Sequence, residues 1–388
     1  LGSVDQFRDG PISPFRILIG SVIGPANMKS VLVAALLLGL LLGLPKAGGA
    51  QKVPGSSRVL VLLETGDRSG LLEEIRTHPD SVRSALADLF RRAARAPDST
   101  DRVAYLDSAK GLAQAYSQVW GDPFLTRQVE RFTRWSMEER AETLEADSLR
   151  LEGIEAYYSE GPEAAMRFWG RALALCRGIQ DESGQAVLLG NLGAGFFALG
   201  DLDRAMRYYD GSMELATEIG DHRTRGTALG NIASVHKDRG DYGLAAEYYQ
   251  LALETRAVTG DRNGEVADLN NLGLVMEALG DLEGAEEQYQ QALRLNLRDD
   301  RSRSAANNLT NLANLASRRG RYETALGLYT EALANRLKTG DRQGEALDRQ
   351  NLGLLYLNWG DYPASAQFLQ ASLAILEELD MPLWAAEV

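Results

Sequence analysis

The sequence predicts an all-α solenoid of paired helices, and three observations predict it. A block recurs in 40-residue steps: Asn191-Leu192-Gly193, Asn231-Ile232-Ala233, Asn271-Leu272-Gly273, Asn311-Leu312-Ala313 and Asn351-Leu352-Gly353. A recurrence of that size means stacked units sharing one core, because a single unit cannot bury its apolar face alone. Gly-Asp pairs punctuate the same stretch at Gly200-Asp201, Gly220-Asp221, Gly240-Asp241, Gly260-Asp261, Gly280-Asp281, Gly340-Asp341 and Gly360-Asp361. Glycine takes the left-handed conformation that ends a helix, and aspartate caps the next one. Finally, small residues sit at fixed places in each unit, which lets helices approach closely. Gly193, Ala233, Gly273, Ala313 and Gly353 belong to the first helix, and Ala205, Ala245, Ala285 and Ala325 to the second.

Taken in order, the chain opens with a stretch that reads as non-native or mis-assigned leader, residues 1–27. Met28-Lys29 then precedes an apolar run from Val31 to Leu44, closed by Pro45-Lys46-Ala47-Gly48-Gly49-Ala50. A lysine, an apolar core shorter than the ~20 residues of a spanning helix, and small residues at the end are the parts of a secretory signal peptide, residues 28–50. The other reading of this run is a short anchoring helix. Removing residues 1–50 takes away four basic and two acidic residues, so the net charge of −13 becomes −15. An acidic chain is a poor partner for nucleic acid or for an anionic membrane. The expected location is secreted or periplasmic.

Residues 51–149 read as a helical N-terminal region. Gln51–Ser57 reads as a linker, and the apolar run Val59–Leu63 fits strand or helix equally. Asp80-Ser81 and Ser99-Thr100-Asp101 are helix starts; Ala96-Pro97 and Gly121-Asp122-Pro123 are stops. Ser136 and Glu139 have the spacing of a capping box, which predicts a helix from Met137 towards Tyr158. Gly161-Pro162 breaks it, with proline suited to the first position of the next helix. This lead is expected to pack on the first repeat and cover its apolar end.

From residue 150 to 388 the frame predicts about six units: 150–189, 190–229, 230–269, 270–309, 310–349 and 350–388. Each holds two helices of roughly 17 residues joined by tight turns. Gly320-Arg321 and Asp299-Asp300 weaken a cap without moving the turn. Tyr209, Tyr249, Tyr289 and Tyr329 are expected to fill the wedges between units, and Tyr242, Tyr322 and Tyr362 to do similar work near the turns.

Leu272-Gly273, Met276, Gly280, Leu282, Ala285, Tyr289 and Ala292 resemble the pattern of the tetratricopeptide repeat, in a 40-residue form similar to kinesin light chains and to bacterial arrays associated with CHAT domains. Gly153, Ala165, Trp169 and Ala172 repeat it more weakly, 40 residues before Gly193, Ala205, Tyr209 and Ser212. The resemblance covers about three-fifths of the chain. It implies a right-handed superhelical solenoid of α-α hairpins whose first helices line a concave groove. It also implies that Asn191, Asn231, Asn271, Asn311 and Asn351 face that groove and meet a peptide backbone. Asparagine is a mediocre helix former, so five in register call for a reason. An amide offers two donors and an acceptor, which suits an extended peptide. The alternative is that each asparagine bonds the adjacent unit and fixes the stacking. Ser234 and Asn314 lie one turn on, and Lys237, Glu277, Arg318 and Asn358 vary in charge from unit to unit. His236 is read as a packed residue.

No phosphate loop, nucleophile elbow or H-E-x-x-H motif occurs, and His78, His222 and His236 lack metal-ligand spacing. Cys176 reads as a buried thiol. The reading is therefore no enzyme, no cofactor and no metal: a scaffold that binds a peptide or partner protein. A second reading, from the resemblance, makes the chain the sensing part of a caspase-like CHAT peptidase whose catalytic domain lies beyond Val388. A third is self-association through the array ends, where the last unit carries Ser365 and Ser372 in place of alanines and Pro382-Leu383-Trp384 either starts another element or marks a fragment.

Overall fold

The computed structural model describes residues 54–96, 98–299 and 301–379. Residues 1–50, read above as leader and signal peptide, Pro97, Asp300 and Pro382-Leu383-Trp384 lie outside the described residues. Among the described residues there are 17 helices and no strand. The chain is an all-α solenoid of helical hairpins with a helical lead, and it forms two compact units. One comprises the described residues of Leu1–Arg239 with Glu254–Gly264, the other those of Gly240–Leu253 with Glu265–Val388.

The first unit begins with α1 (Pro54–Glu64), α2 (Arg68–Thr77), α3 (Pro79–Arg95), α4 (Ser99–Trp120) and α5 (Phe124–Arg134). The apolar run at Val59 is thus helical, and the helix already starts inside the segment read as linker. Val59, Ile75, Leu86, Leu112, Tyr116 and Leu125 form its core. The helix starts differ in detail from the sequence reading. His78 precedes α3 without a side-chain cap, and Asp98 rather than Ser99 caps α4 by accepting from the Asp101 N–H at 2.8 Å. The Ser136–Glu139 capping box forms in both directions, at 3.1 and 2.7 Å.

Helix pairs follow: α6 (Met137–Ser159) with α7 (Pro162–Gly178), and α8 (Glu182–Ala198) with α9 (Leu202–Ile219). Next come α10 (His222–Arg239) and α11 (Tyr242–Ala257). A unit frame opening at Gly190 or Gly230 therefore cuts the first helix of each pair; the physical repeat starts about eight residues earlier, and the first pair starts at Met137. Gly153 shows why small residues recur here. A Cβ on it would stand 2.4 Å from the Trp169 Nε1, and Trp169 is 1% exposed. Glycine lets the indole lie directly on the α6 backbone. The turn glycines at 200, 220, 240, 260, 280, 320, 340 and 360 all have positive φ, as a left-handed helix end requires. Gln180 takes that place before α8, with φ 54.

The second unit holds α11 through Leu253, α12 (Arg262–Leu279) from Glu265 onward, α13 (Leu282–Arg298), α14 (Ser302–Arg318), α15 (Tyr322–Thr339), α16 (Arg342–Trp359) and α17 (Tyr362–Glu378). Asp281, Asp341 and Asp361 cap the next helix by accepting backbone N–H bonds at 2.9, 3.3 and 3.1 Å. Arg301 and Arg321 make no such bond, yet their helices start in register. Tyr209, Tyr249, Tyr289 and Tyr329 are all buried. Tyr362 is not: it is 67% exposed, because no following pair covers it among the described residues.

Within the first unit the lead reaches the turns before three successive first helices. Arg131 pairs with Glu182 at 2.6 Å, Arg83 with Asp221 at 3.4 Å, and Tyr116 Oη donates to the Thr259 carbonyl at 2.7 Å. Asp80 accepts from Arg223 and, at 2.7 Å, from Asn263 Nδ2. Asp261 lies between Arg223 and Arg256 in the same cluster. Burial alone would raise its carboxyl, but the two guanidiniums outweigh burial and hold it far below the usual carboxylate range. A carboxylate held low in the fold stabilises it above its unfolded value of about 3.9, and that contribution is lost as acid protonates it. The urea midpoint of the first unit is therefore expected to fall between pH 7 and pH 3, and to fall less in Asp261→Asn. An equal fall in both proteins would contradict this role.

Candidate functional site

The asparagine row is built by the recurrence itself, one amide per first helix, but its members are not equally accessible. In the first unit, Asn191 is half-buried and its Nδ2 has no hydrogen-bond partner. Asn231 is 7% exposed. Ser234 is buried, and its hydroxyl donates to its own helix at the Gly230 carbonyl, 3.0 Å away. Lys237 lies 3.8 Å from Asp238, and His236 is half-buried.

In the second unit the row continues on α12, α14 and α16. Asn271 is fully buried, and neither amide atom has a partner. Leaving a buried amide unpaired is costly, so this is the most unsatisfied position of the row. Asn311 is half-buried and donates to Asn270 Oδ1 at 3.3 Å; Asn351 is half-buried. Asn314 accepts from the Tyr329 hydroxyl at 2.5 Å. Arg318 is 58% exposed and paired with Glu277, which also accepts from the Tyr289 hydroxyl at 2.7 Å. Burial, more than Glu277, pushes the Tyr289 phenol well above its ordinary value, so it stays a neutral donor. Asn358 is exposed. The accessible polar face of the second unit is therefore Asn311, Asn351, Arg318 and Asn358.

A second polar layer escaped the sequence reading. Asn296 Nδ2 donates to Asn308 Oδ1 at 2.6 Å, and Asn308 Nδ2 to Asn270 Oδ1 at 2.7 Å. One repeat later, Arg336 and Asp348 stand at the places of Asn296 and Asn308, paired at 3.1 Å. Thr310 Oγ1 donates to the same carboxylate at 2.7 Å, and Asn307 and Asp341 accept from the Arg336 guanidinium. Burial raises the Asp348 carboxyl against the pull of Arg336. These bonds join neighbouring hairpins, the stacking role weighed above for the other asparagines. The signal was in the sequence: both partners change together at 40-residue spacing.

Cys176 is buried, and burial, with Asp181 beside it, pushes its thiol up to about 12, which disfavours the thiolate. Among the described residues no helix is long and apolar enough to cross a membrane.

The tetratricopeptide-repeat family model matches residues 184–257, 224–298 and 302–378. Several solved structures share the fold. A Rap protein complexed with competence and sporulation factor aligns at 16% identity and TM-score 0.50, over 85% of this chain and 95% of that one. Aspartyl phosphate phosphatase F from Bacillus subtilis aligns at 13% and 0.51, over 88% of each chain. A signal transduction ATPase with a tetratricopeptide repeat sensor, from Pyrococcus horikoshii, aligns at 14% and 0.54, over 93% of this chain and 55% of that one. At such identities the likeness is one of fold. No curated protein matches the chain.

Proposed function

This chain is a tetratricopeptide-repeat protein, and we propose from that premise that it is a scaffold which binds a peptide or an extended segment of a partner protein along the first helices of its repeats. The observation that carries the reading is the pair of half-buried amides Asn311 and Asn351, one repeat apart and in register on successive first helices of the second unit. Amides spaced one repeat apart suit the alternating N–H and C=O of an extended chain, and Arg318 and Asn358 add side-chain selectivity. A Rap protein solved in complex with competence and sporulation factor shares the fold and supports a partner-binding role. The acidic net charge argues against nucleic acid.

The test is selection of peptides from a displayed random library on the folded chain, followed by calorimetry on Asn311→Ala and Asn351→Ala. Each substitution is expected to weaken the selected peptide about fivefold to tenfold, in keeping with a lost backbone hydrogen bond. Unchanged affinity in both variants would overturn the site. Mass growing with concentration in light scattering would favour self-association through the array ends instead.

The ATPase neighbour, of whose chain this one spans 55%, supports a second reading: the array as the sensing part of a larger enzyme. An immediate stop codon after Val388 would remove it. Export to the periplasm or medium is proposed from Lys29 and the apolar run up to Leu44; a protein that fractionates with the cytoplasm and still carries residues 28–50 would contradict it.

A further inference from the structure

We infer that the first unit contains a second binding site, separate from the asparagine row, for a small aromatic carboxylate: a free acid or the C-terminal residue of a peptide. A cavity of about 570 Å³ lies between α3, α5 and the start of α8, within the 300–1,000 Å³ range of small-ligand sites. Its apolar wall is aromatic. Phe90 and Phe132 stack at 4.2 Å, and Trp135 meets Phe132 edge-on at 5.9 Å. Phe90 and Trp135 are only half-buried, so ring faces remain for a guest.

The mouth has the opposite character. Arg127, Arg131 and Arg134 follow at four- and three-residue steps on α5, which puts them on one helical face. A shallower depression lined by these three, Glu130 and Trp135 continues the cavity outward. Three guanidiniums stand beside the aromatic wall, with Glu130 3.7 Å from Arg134. One Arg127 nitrogen donates to the Ile219 carbonyl at 3.1 Å and one of Arg131 to Glu182 at 2.6 Å. A guanidinium carries five N–H donors, so both keep donors for a carboxylate. The acidic groups at the cavity and its mouth are Glu130, Asp181, Glu182 and Glu218. Glu182 is already paired with Arg131, and Asp181 is buried at the start of α8. Ring and charge together select the guest: an aromatic group for the wall, a carboxylate for the arginines.

Ligand-observed NMR with four probes tests this on the full chain: N-acetyl-L-phenylalanine, its amide, and the tripeptide Ala-Ala-Phe with a free or amidated end. Both acids are expected to bind in the millimolar range, as their size dictates, and their amides about tenfold more weakly. Binding of the free acid alone would assign a metabolite-like ligand; binding of both acids, or of the tripeptide alone, would assign a peptide end. In Arg127→Gln/Arg131→Gln the difference between acid and amide is expected to vanish. Thr143→Trp fills the cavity and should abolish binding. Trp135→Ala, at the rim, should weaken all probes and serves if Thr143→Trp does not fold. Equal affinity for acid and amide, no binding at all, or full binding to the rim and cavity variants would overturn the site. Asn311→Ala and Asn351→Ala are expected to leave these probes unaffected, so this site and the groove fail separately.

Discussion

Asp348→Ala is expected to destabilise the second unit by about 3 kcal/mol, at the lower end of the 3–5 kcal/mol that follows from stripping one partner from a buried ion pair. Arg336 is 2% exposed and Asp348 fully buried. Without the carboxylate, the guanidinium keeps only Asp341 at 2.8 Å and Asn307 at 2.7 Å, and Thr310 Oγ1 is left with the Ala306 carbonyl at 2.9 Å. The chain also contains the remedy. One repeat earlier the same two places hold Asn296 and Asn308, bonded at 2.6 Å. Arg336→Asn combined with Asp348→Asn is therefore expected to recover most of the loss, since a matched neutral pair has no buried charge to neutralise. Urea midpoints followed by circular dichroism at 222 nm check both statements. A double variant no better than Asp348→Ala would show that the pair is not a self-contained unit.

Trp169→Ala is expected to cost the first unit about 3–5 kcal/mol, the usual range for truncating a buried tryptophan. The indole is 1% exposed, lies against Gly153 and donates from Nε1 to the Arg150 carbonyl at 3.1 Å. The reciprocal change overpacks the same contact. Gly153→Ala places a Cβ 2.4 Å from Nε1, so α6 and α7 must part, at about 1–3 kcal/mol. In the second unit, Ala313 and Tyr329 occupy the equivalent places and share one core cluster. Gly153→Ala with Trp169→Tyr should therefore cost less than the sum of the two single changes, as coupled neighbours do. Strict additivity in thermal denaturation would mean that the two residues do not share this contact.

Much of the fold was legible because the same solution is written five times. Gly240 or Tyr249 alone says little; at 40-residue spacing each becomes a turn and a wedge. The lead had no such redundancy. α2 and α5 passed unseen, and Val59–Leu63 could not be assigned, because periodicity in so short a run does not separate strand from helix. The candidate site was legible only as a row of amides. Accessibility depends on how closely neighbouring hairpins approach, and no single residue encodes that: Asn271 is sealed while Asn311 and Asn351 are half-open. The stacking pairs could have been found by comparing repeats, since Asn296 with Asn308 becomes Arg336 with Asp348. The cavity beside Trp135 could not, because it is enclosed by helices from the lead and the repeats together.

Hydrogen exchange of the full chain, with and without a library-selected peptide, tests the scaffold reading most directly. Protection is expected to concentrate on residues 302–318 and 342–359, the first helices that carry Asn311 and Asn351. Protection confined to the second helices, 322–339 and 362–378, would place the partner on the other face and contradict the account.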